Sequence, residues 1–181
     1  MNVYKCSLVL LGNQLFSQKE IEKAKCNRIF MAEDFGLCTY ERHHKLKILM
    51  FLASMREKRD ELLKGGFDVE YWDVEHPSFF DSYEQKLLDY KNKNEIEAFK
   101  MFEIEDKSFE DRILAFANKN NLSIKFMHSP MFLLKRDEFQ DLSGKNATLR
   151  MAHFYKAMRK KFNLLIDKSQ KPFGGKWSFD D

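Results

Sequence analysis

The chain has 181 residues, of which 44% are hydrophobic and 33% are charged, and its formal net charge is +3. This length and composition allow one sizeable core and argue against two full domains, so we predict a single soluble domain. The 31 basic and 28 acidic residues are too evenly balanced to indicate, by themselves, a nucleic-acid or membrane-surface partner. There is no apolar run near the roughly 18 residues that span a bilayer and no signal-peptide pattern, which predicts a cytoplasmic protein with no membrane partner.

The first half of the chain alternates short apolar runs with helical patterns. Gly12-Asn13-Gln14 is predicted to form a turn after the first apolar run. Gly65-Gly66 is predicted to end a long helix that is buried over a wide arc of its circumference. The predicted elements are, in order, strand 3–11, strand 28–33, helix 41–64, strand 67–74 and a helix from Pro77 to about Tyr90.

The second half repeats this rhythm with strand 95–104, an amphipathic helix at 108–120 and strand 122–127. Five strands that alternate with helices predict an α/β, Rossmann-like fold, in which a five-stranded, mostly parallel sheet carries helices on both faces. Ligands of such sheets bind at the carboxyl ends of the strands near the topological switch point. We expect that place to be the ends of the first two strands.

The alternation stops at Pro130, so we divide the chain into an α/β domain at 1–130 and a connector at 131–181. The connector holds a short apolar piece at 131–134, a possible helical turn at 136–140 and a loop at 142–147. A basic helix starts near Thr148, and the chain then runs into KPFGGKWSFDD. This ending has the composition of an ordered connector without a closing element, so we expect the chain to be part of a longer protein.

Simple cofactor and metal signatures are missing. The turn after the first strand has a single glycine, which disfavours both a dinucleotide fingerprint and a Walker A loop. Adjacent helical residues point about 100° apart, so His43 and His44 are not expected to share a metal ion. Cys6, Cys26 and Cys38 match no zinc or iron–sulfur spacing and are interpreted as reduced thiols.

Two carboxylates follow the second predicted strand. Glu33 either contacts a ligand or receives backbone N–H groups of a nearby helix start, and its neighbour Asp34 is expected to be solvated. No Ser, His and Asp set or Cys and His pair can be assigned from spacing. The sequence therefore identifies no catalytic residue.

Four segments carry a family resemblance. YERHHKLKI at 40–48, followed by FLASMR at 51–56, resembles the signature of the deoxyribodipyrimidine photolyase-related proteins, the bacterial iron–sulfur cryptochrome and photolyase group. GNQL at 12–15 resembles that family's G-(D/N)-Q-L turn. LRMAHFYKAMRKK at 149–161 and PFGGKWSFD at 172–180 are similar to its R-M-x-x-F-Y-x-x-M-R-(R/K) and P-x-G-G-x-W-x-F-D patterns.

The resemblance implies the N-terminal α/β domain of a longer flavoprotein that acts in light-dependent DNA repair or light sensing. A separate C-terminal helical domain would bind FAD, hold a four-cysteine 4Fe-4S cluster, receive a flipped DNA lesion and be the main partner of this domain. The α/β domain is similar to an antenna module that holds a lumazine-type chromophore. This chain alone would then harvest light and would not be catalytic.

The resemblance also places a pocket at the strand ends. The implied pocket residues are Gly12, Asn13, Glu33, Leu37, Tyr40, His44, Lys47 and Phe51. Leu37 stands where lumazine-binding members have Glu, and Phe51 is bulkier than the aliphatic residue expected there. Because both changes remove room or polarity, a different chromophore and an empty pocket also remain open.

The terminal basic helix is a candidate DNA contact. One side of this helix is predicted to carry the basic residues Arg150, His153, Lys156, Arg159 and Lys160, and the opposite side is apolar. We select Arg150, Arg159 and Lys160 as predicted DNA-binding residues, and a half-buried surface helix is the alternative.

Trp177 and Phe179 are expected to pack on the absent domain. Two other functions remain open from the sequence. The chain is either a free-standing binding module for a small aromatic ligand or a non-catalytic interaction domain that docks a partner through these two aromatic residues.

Overall fold

The structure, a computed structural model, describes residues 5–143 and 150–178, with the side chain of Ser143 left out. The chain divides into two compact units, Met1–Pro130 and Met131–Asp181. The strands of the first unit are β1 Cys6–Val9, β2 Arg28–Ala32, β3 Asp68–Trp72, β4 Ala98–Phe102 and β5 Ser123–Met127. They pair in the order β3-β2-β1-β4-β5, and every pair is parallel. The predicted α/β, Rossmann-like fold is confirmed.

The helices of the first unit connect these strands. They are α1 Gln18–Glu22, α2 Phe35–Thr39, α3 Lys45–Lys64, α4 Tyr83–Asn94 and α5 Lys107–Lys119, with a 3-10 turn at Pro77–Phe80. The short helices α1 and α2 were not predicted, because five residues are too few to show a helical period.

The sheet is buried on both faces, which explains why its central strands are mostly apolar. On β2, Phe30 belongs to a core that includes Leu87 of α4 and Ile113 of α5. Its neighbour Ile29 belongs to a second core that includes Leu62 of α3. The helices therefore cover both faces, as predicted.

Side-chain caps set two helix starts that the sequence placed elsewhere. Nδ1 of His44 accepts the Leu46 N–H at 3.2 Å, so α3 begins at Lys45 rather than at residue 41. Oγ of Ser82 accepts the Gln85 N–H at 3.2 Å and starts α4 after the 3-10 turn. The single helix predicted from Pro77 was therefore wrong.

The cysteines differ from the sequence interpretation. Cys6 and Cys26 form a disulfide with their Cα atoms 5.7 Å apart, and Cys38 is free. The prediction of three reduced thiols was wrong for the bonded pair. The disulfide was not predicted because the two cysteines are 20 residues apart and match no metal-ligand spacing. They meet in the fold because β1 and β2 are adjacent and parallel, which brings Cys6 at the start of β1 beside Cys26 just before β2.

The second unit contains α6 Arg136–Ser143 and α7 Met151–Lys161. The rings of Phe139 and Phe154 meet edge-on at 5.9 Å between centroids, and the Lys161 ammonium lies 2.7 Å from the Glu138 carboxylate. Most of the loop predicted at 142–147 lies outside the described residues, as does the predicted helix start near 148, and residues 142 and 143 belong to α6.

Arg159 holds together the segment that follows α7. It is 4% exposed, and its guanidinium donates to the backbone oxygens of Leu164 at 3.1 Å, Trp177 at 2.8 Å and Leu165. It also lies over the rings of Tyr155 and Trp177, at 5.6 and 5.4 Å from their centroids. The prediction that placed Arg159 on the exposed basic side was wrong, since three carbonyl oxygens occupy its donors.

Replacing Arg159 by Lys should loosen this segment, because an ammonium lacks the planar fork that reaches several carbonyls at once. We expect the amides of residues 164–177 to lose protection equivalent to about 1–3 kcal/mol. Hydrogen exchange followed by mass spectrometry measures this directly. Arg150→Lys, on the exposed residue before α7, is the matched control, and equal protection in both variants would show that Arg159 has no such role.

Candidate ligand cavity

A cavity of about 790 Å³ lies at the carboxyl edge of the sheet. Its lining includes Gly12 after β1, Glu33 after β2 and Ile104 after β4, together with parts of α2, α3, α4 and α5. The sequence predicted the ends of the first two strands. The end of β4 also contributes because, in this strand order, the switch point falls between β1 and β4.

The walls of the cavity are largely apolar. Apolar and aromatic side chains line it from four elements and their flanks, among them Leu11, Leu37, Ile48, Phe51, Met55 and Phe109. The volume falls within the range of small-molecule and cofactor sites, which combine apolar walls with a few directed polar groups. A flat aromatic ligand fits this description.

The structure brings most of the predicted pocket residues together. Those that line the cavity are Gly12, Asn13, Glu33, Leu37, Tyr40, Lys47 and Phe51. His44 is not among the lining residues because its ring caps α3, and its neighbour His43 lines the cavity instead. Ligand contact by these residues stays a prediction.

The Glu33 carboxylate is fully occupied by protein donors. It accepts Arg56 Nε at 2.7 Å and Nη2 at 3.0 Å, the Tyr71 hydroxyl at 2.6 Å and the Val74 N–H at 3.0 Å. Burial and the neighbouring Glu33 carboxylate raise the pKa of Tyr71 well above its usual range, so Tyr71 remains a donor. Four bonds use the acceptor positions of one carboxylate. Of the two interpretations of Glu33, the geometry favours the one in which it receives donors of the protein.

Asp34 is buried, contrary to the prediction that it is solvated. It is 4% exposed; one oxygen accepts the Leu37 N–H at 2.8 Å and caps α2, and the other pairs with Lys86. Lys86 is 0% exposed and also donates to the backbone oxygens of Phe79 at 3.0 Å and Asp81 at 2.8 Å. This ion pair connects the end of β2, the start of α2 and the 3-10 turn around the cavity.

The buried position of Lys86 was not predicted, although the pattern of the sequence indicates it. Lys86 falls on the same helical face as Tyr83, Leu87 and Tyr90, which are all buried. A lysine within an apolar helical stripe indicates a buried cation that needs a carboxylate partner.

The turn after β1 connects two strand ends. Gln14 Nε2 donates to the Glu103 backbone oxygen at 2.9 Å, and Asn13 Nδ2 donates to Glu105 at 3.0 Å. A Cβ atom at Gly12 would lie 2.7 Å from the sulfur of Met55, so only glycine lets α3 approach this turn without a shift.

The hydroxyl of Tyr83 is a buried polar group at the cavity. Tyr83 lines the cavity and is 2% exposed. Its hydroxyl has no hydrogen-bond partner among the described residues. Burial, followed by the charge of Asp34, raises the pKa of Tyr83 well above its usual range. The group therefore stays protonated and can donate.

The predicted DNA contacts fall into two groups. Arg150 and Lys160 are exposed in the second unit, whereas Arg159 is buried as described above. Within residues 5–143 and 150–178, no cluster of three or more His, Cys, Asp or Glu side chains is arranged to hold a metal ion. No helix in these ranges combines the length and the apolar character needed to cross a membrane.

The strand order, with a cavity at its switch point, defines a doubly wound α/β domain. The family is more specific than this class. The chain belongs to the deoxyribodipyrimidine photo-lyase-related protein family, whose model matches residues 8–181.

Two curated proteins are similar to the chain. A (6-4) photolyase of Agrobacterium fabrum is 27% identical over 179 residues, which cover 96% of this chain and 34% of that protein. An uncharacterized protein of Acanthamoeba polyphaga mimivirus is 33% identical over 144 residues, which cover 77% of this chain and 70% of that protein. The chain thus spans about a third of the photolyase that it matches.

Lys86→Met should destabilise the first unit, because it leaves the Asp34 charge buried without its cation. We expect the free energy of unfolding to fall by about 3–5 kcal/mol, and a second change, Asp34→Asn, to recover part of that loss. Urea unfolding followed by circular dichroism measures both. Lys91→Met, one turn further along α4, is the control and should change stability by less than about 1 kcal/mol. Equal losses for the two lysines would contradict the role of the buried pair.

Proposed function

We propose that this chain is the antenna-type α/β domain of a photolyase- or cryptochrome-related flavoprotein that acts in light-dependent DNA repair or light sensing. The observation that carries the proposal is the largely apolar cavity of about 790 Å³ at the switch point of the sheet. Membership of the photolyase-related family supports the same assignment.

An antenna site needs a rigid cavity that holds a chromophore more than it needs reactive side chains. The Glu33 and Asp34 carboxylates both accept several hydrogen bonds from the protein and are not poised as bases. Leu37, Phe51 and Phe109 supply apolar surface for a ring system. A chromophore held in this way absorbs light and passes on excitation without reacting with its site.

FAD and a 4Fe-4S cluster belong, in this proposal, to a C-terminal helical domain outside this chain, which is its main partner. The residues present do not fit the cluster. Four thiolates are needed, and of the three cysteines Cys6 and Cys26 are bonded to each other. We therefore do not assign the cluster to the chain itself, and FAD is placed in the C-terminal domain on the family resemblance alone.

The identity of the chromophore depends on two side chains of the wall. Leu37 and Phe51 both line the cavity, so the differences from lumazine-binding members fall within the site itself. A lumazine-type ring would meet a wall with less polarity and less room than in those members. We propose a lumazine-type or another flat aromatic chromophore of similar size.

The proposal predicts that the purified chain binds such a ring. Titration with a ribityl lumazine and with riboflavin, followed by fluorescence anisotropy, should show saturable binding of at least one of them. Ile48→Trp fills the cavity and should abolish that binding. Leu49→Trp adds the same ring at a neighbouring position that is 63% exposed and should leave binding unchanged. The absence of an anisotropy rise for both ligands at high protein concentration would overturn the antenna proposal.

A second proposed function is contact with DNA through the second unit. Residues 131–181 contain 11 Lys and Arg against 6 Asp and Glu, whereas residues 1–130 contain 20 against 22. Arg150, His153, Lys156 and Lys160 are exposed and available to phosphates. This local excess is what a phosphate-contacting surface requires.

The double variant Arg150→Ala/Lys160→Ala should weaken binding to a DNA duplex and make its salt dependence shallower. The slope of log K against log salt should decrease by about 1.8, since each lost phosphate contact contributes about 0.9. The double variant Lys64→Ala/Lys119→Ala, on exposed sites of the first unit, removes the same charge elsewhere. If both double variants change the slope equally, the effect is one of net charge and the second unit is not the contact surface.

A further inference from the structure

We propose that the ligand of this cavity is a planar heteroaromatic molecule with an anionic tail, a phosphate or a carboxylate, whose ring acceptor pairs with Tyr83 and whose tail pairs with Lys47. The inference rests on the proposed function, because it names the chemical class of the ligand for the same site. It begins from two polar groups on the cavity lining and from the charge around them.

The Tyr83 hydroxyl is the first group. The ring packs edge-on against Phe109, with 5.7 Å between the centroids, and both residues line the cavity. A buried hydroxyl without a partner costs about 1–3 kcal/mol, so a native structure normally supplies one. Since Tyr83 has no partner among the described residues, we assign its partner to an acceptor atom of a ligand packed against this residue.

The surroundings of Tyr83 select the kind of acceptor. The hydroxyl stays protonated, so its partner has to offer a lone pair. The nearby Asp34 carboxylate repels a second negative charge at the same place. A neutral carbonyl oxygen or ring nitrogen of a heteroaromatic ligand satisfies both conditions.

Helix amino termini form part of the cavity edge. The amino-terminal turns of three helices contribute lining residues: Lys47 of α3, Tyr83 of α4 and Ser108 of α5. Helix amino termini carry partial positive charge and favour anionic ligand groups.

Four carboxylates also line the cavity, and two of them, Glu33 and Asp34, are paired with cations of the protein. Glu33, Asp34 and Asp106 accept hydrogen bonds from donors of the protein itself, the last from the Phe109 N–H at 2.9 Å. The fourth, Asp81, is exposed and therefore screened by solvent.

Lys47 is the second group. Among the described residues its ammonium forms no ion pair, and the one polar neighbour within bonding distance is His43 Nδ1 at 3.4 Å. Because Lys47 lies in the first turn of α3, an anion there would meet a cation, an imidazole and a helix amino terminus together. The tail of the ligand is therefore assigned to this end of the cavity.

A comparison of riboflavin with flavin mononucleotide tests the tail independently of the ring, because the two ligands share one ring and differ by a phosphate. We expect the purified chain at low salt to bind flavin mononucleotide about two- to fivefold more tightly than riboflavin, the effect of one solvent-exposed ion pair. Lys47→Met should remove this difference. Lys45→Met, on the same turn but not on the cavity lining, should preserve the difference.

The ring contact is tested in the same titrations. Tyr83→Phe should weaken both flavins by a similar factor of about three to ten, because both lose the same hydrogen bond. Tyr90→Phe is the control, since its hydroxyl lies 3.0 Å from Ser7 Oγ and it does not line the cavity. Circular dichroism of each variant checks that the fold is retained.

The outcomes separate this inference from the proposed function. Equal affinity for the two flavins, or a preference for the phosphate that survives Lys47→Met, overturns the anionic tail. An unchanged affinity in Tyr83→Phe overturns the ring contact. Binding of the lumazine without binding of either flavin also overturns the inference and leaves the antenna function standing. Failure of every ring to bind overturns the proposed function itself.

Discussion

The ammonium of Lys86 lies inside the first unit with no exposed surface, and its three oxygen partners come from two segments, Asp34 between β2 and α2 and the 3-10 turn that ends at Asp81. Removing an ammonium from water is so costly that it persists in a protein interior only when its donors are satisfied by well-placed acceptors. The end of β2, the first turn of α2 and the 3-10 turn before α4 are therefore fixed relative to one another. These same segments form one wall of the cavity. Because the buried ion pair fixes their positions, this wall is already in place without a ligand.

Asp34 extends this constraint to the functional groups of the cavity. Its second oxygen caps α2, which carries Leu37, and its charge adds to burial in raising the pKa of Tyr83. One carboxylate thus positions an apolar wall and lies close to the buried phenol. The Glu33 network with Arg56 and Tyr71 holds the adjacent part of the strand end in a similar way. Neither carboxylate needs to touch a ligand in order to shape its site.

The sequence predicted the parts of this molecule that depend on local patterns. The strands β1, β2 and β4 are short and mostly apolar because they are covered on both faces, and α5 has the period of a half-buried helix. The contacts that need the folded chain were missed or misjudged. The Cys6–Cys26 disulfide depends on strand adjacency, and the burial of Arg159 depends on the chain folding back after α7. Lys86 was within reach of sequence reasoning, because its place in an apolar stripe is visible in the printed sequence.

An exposed aromatic group at the cavity adds a last constraint on its occupant. Phe80 lines the cavity but is 74% exposed, and it packs against Phe35, which is itself 44% exposed, with 5.1 Å between the centroids. Apolar surface left in water favours burial by about 25 cal/mol per Å², so a ring that covers these side chains gains affinity without any polar contact. Such a gain is available to any flat ligand and gives little selectivity. In the proposed site, discrimination between ligands would therefore depend on the directed groups, Tyr83 within the protein and Lys47 at the first turn of α3, which would contact different parts of the ligand.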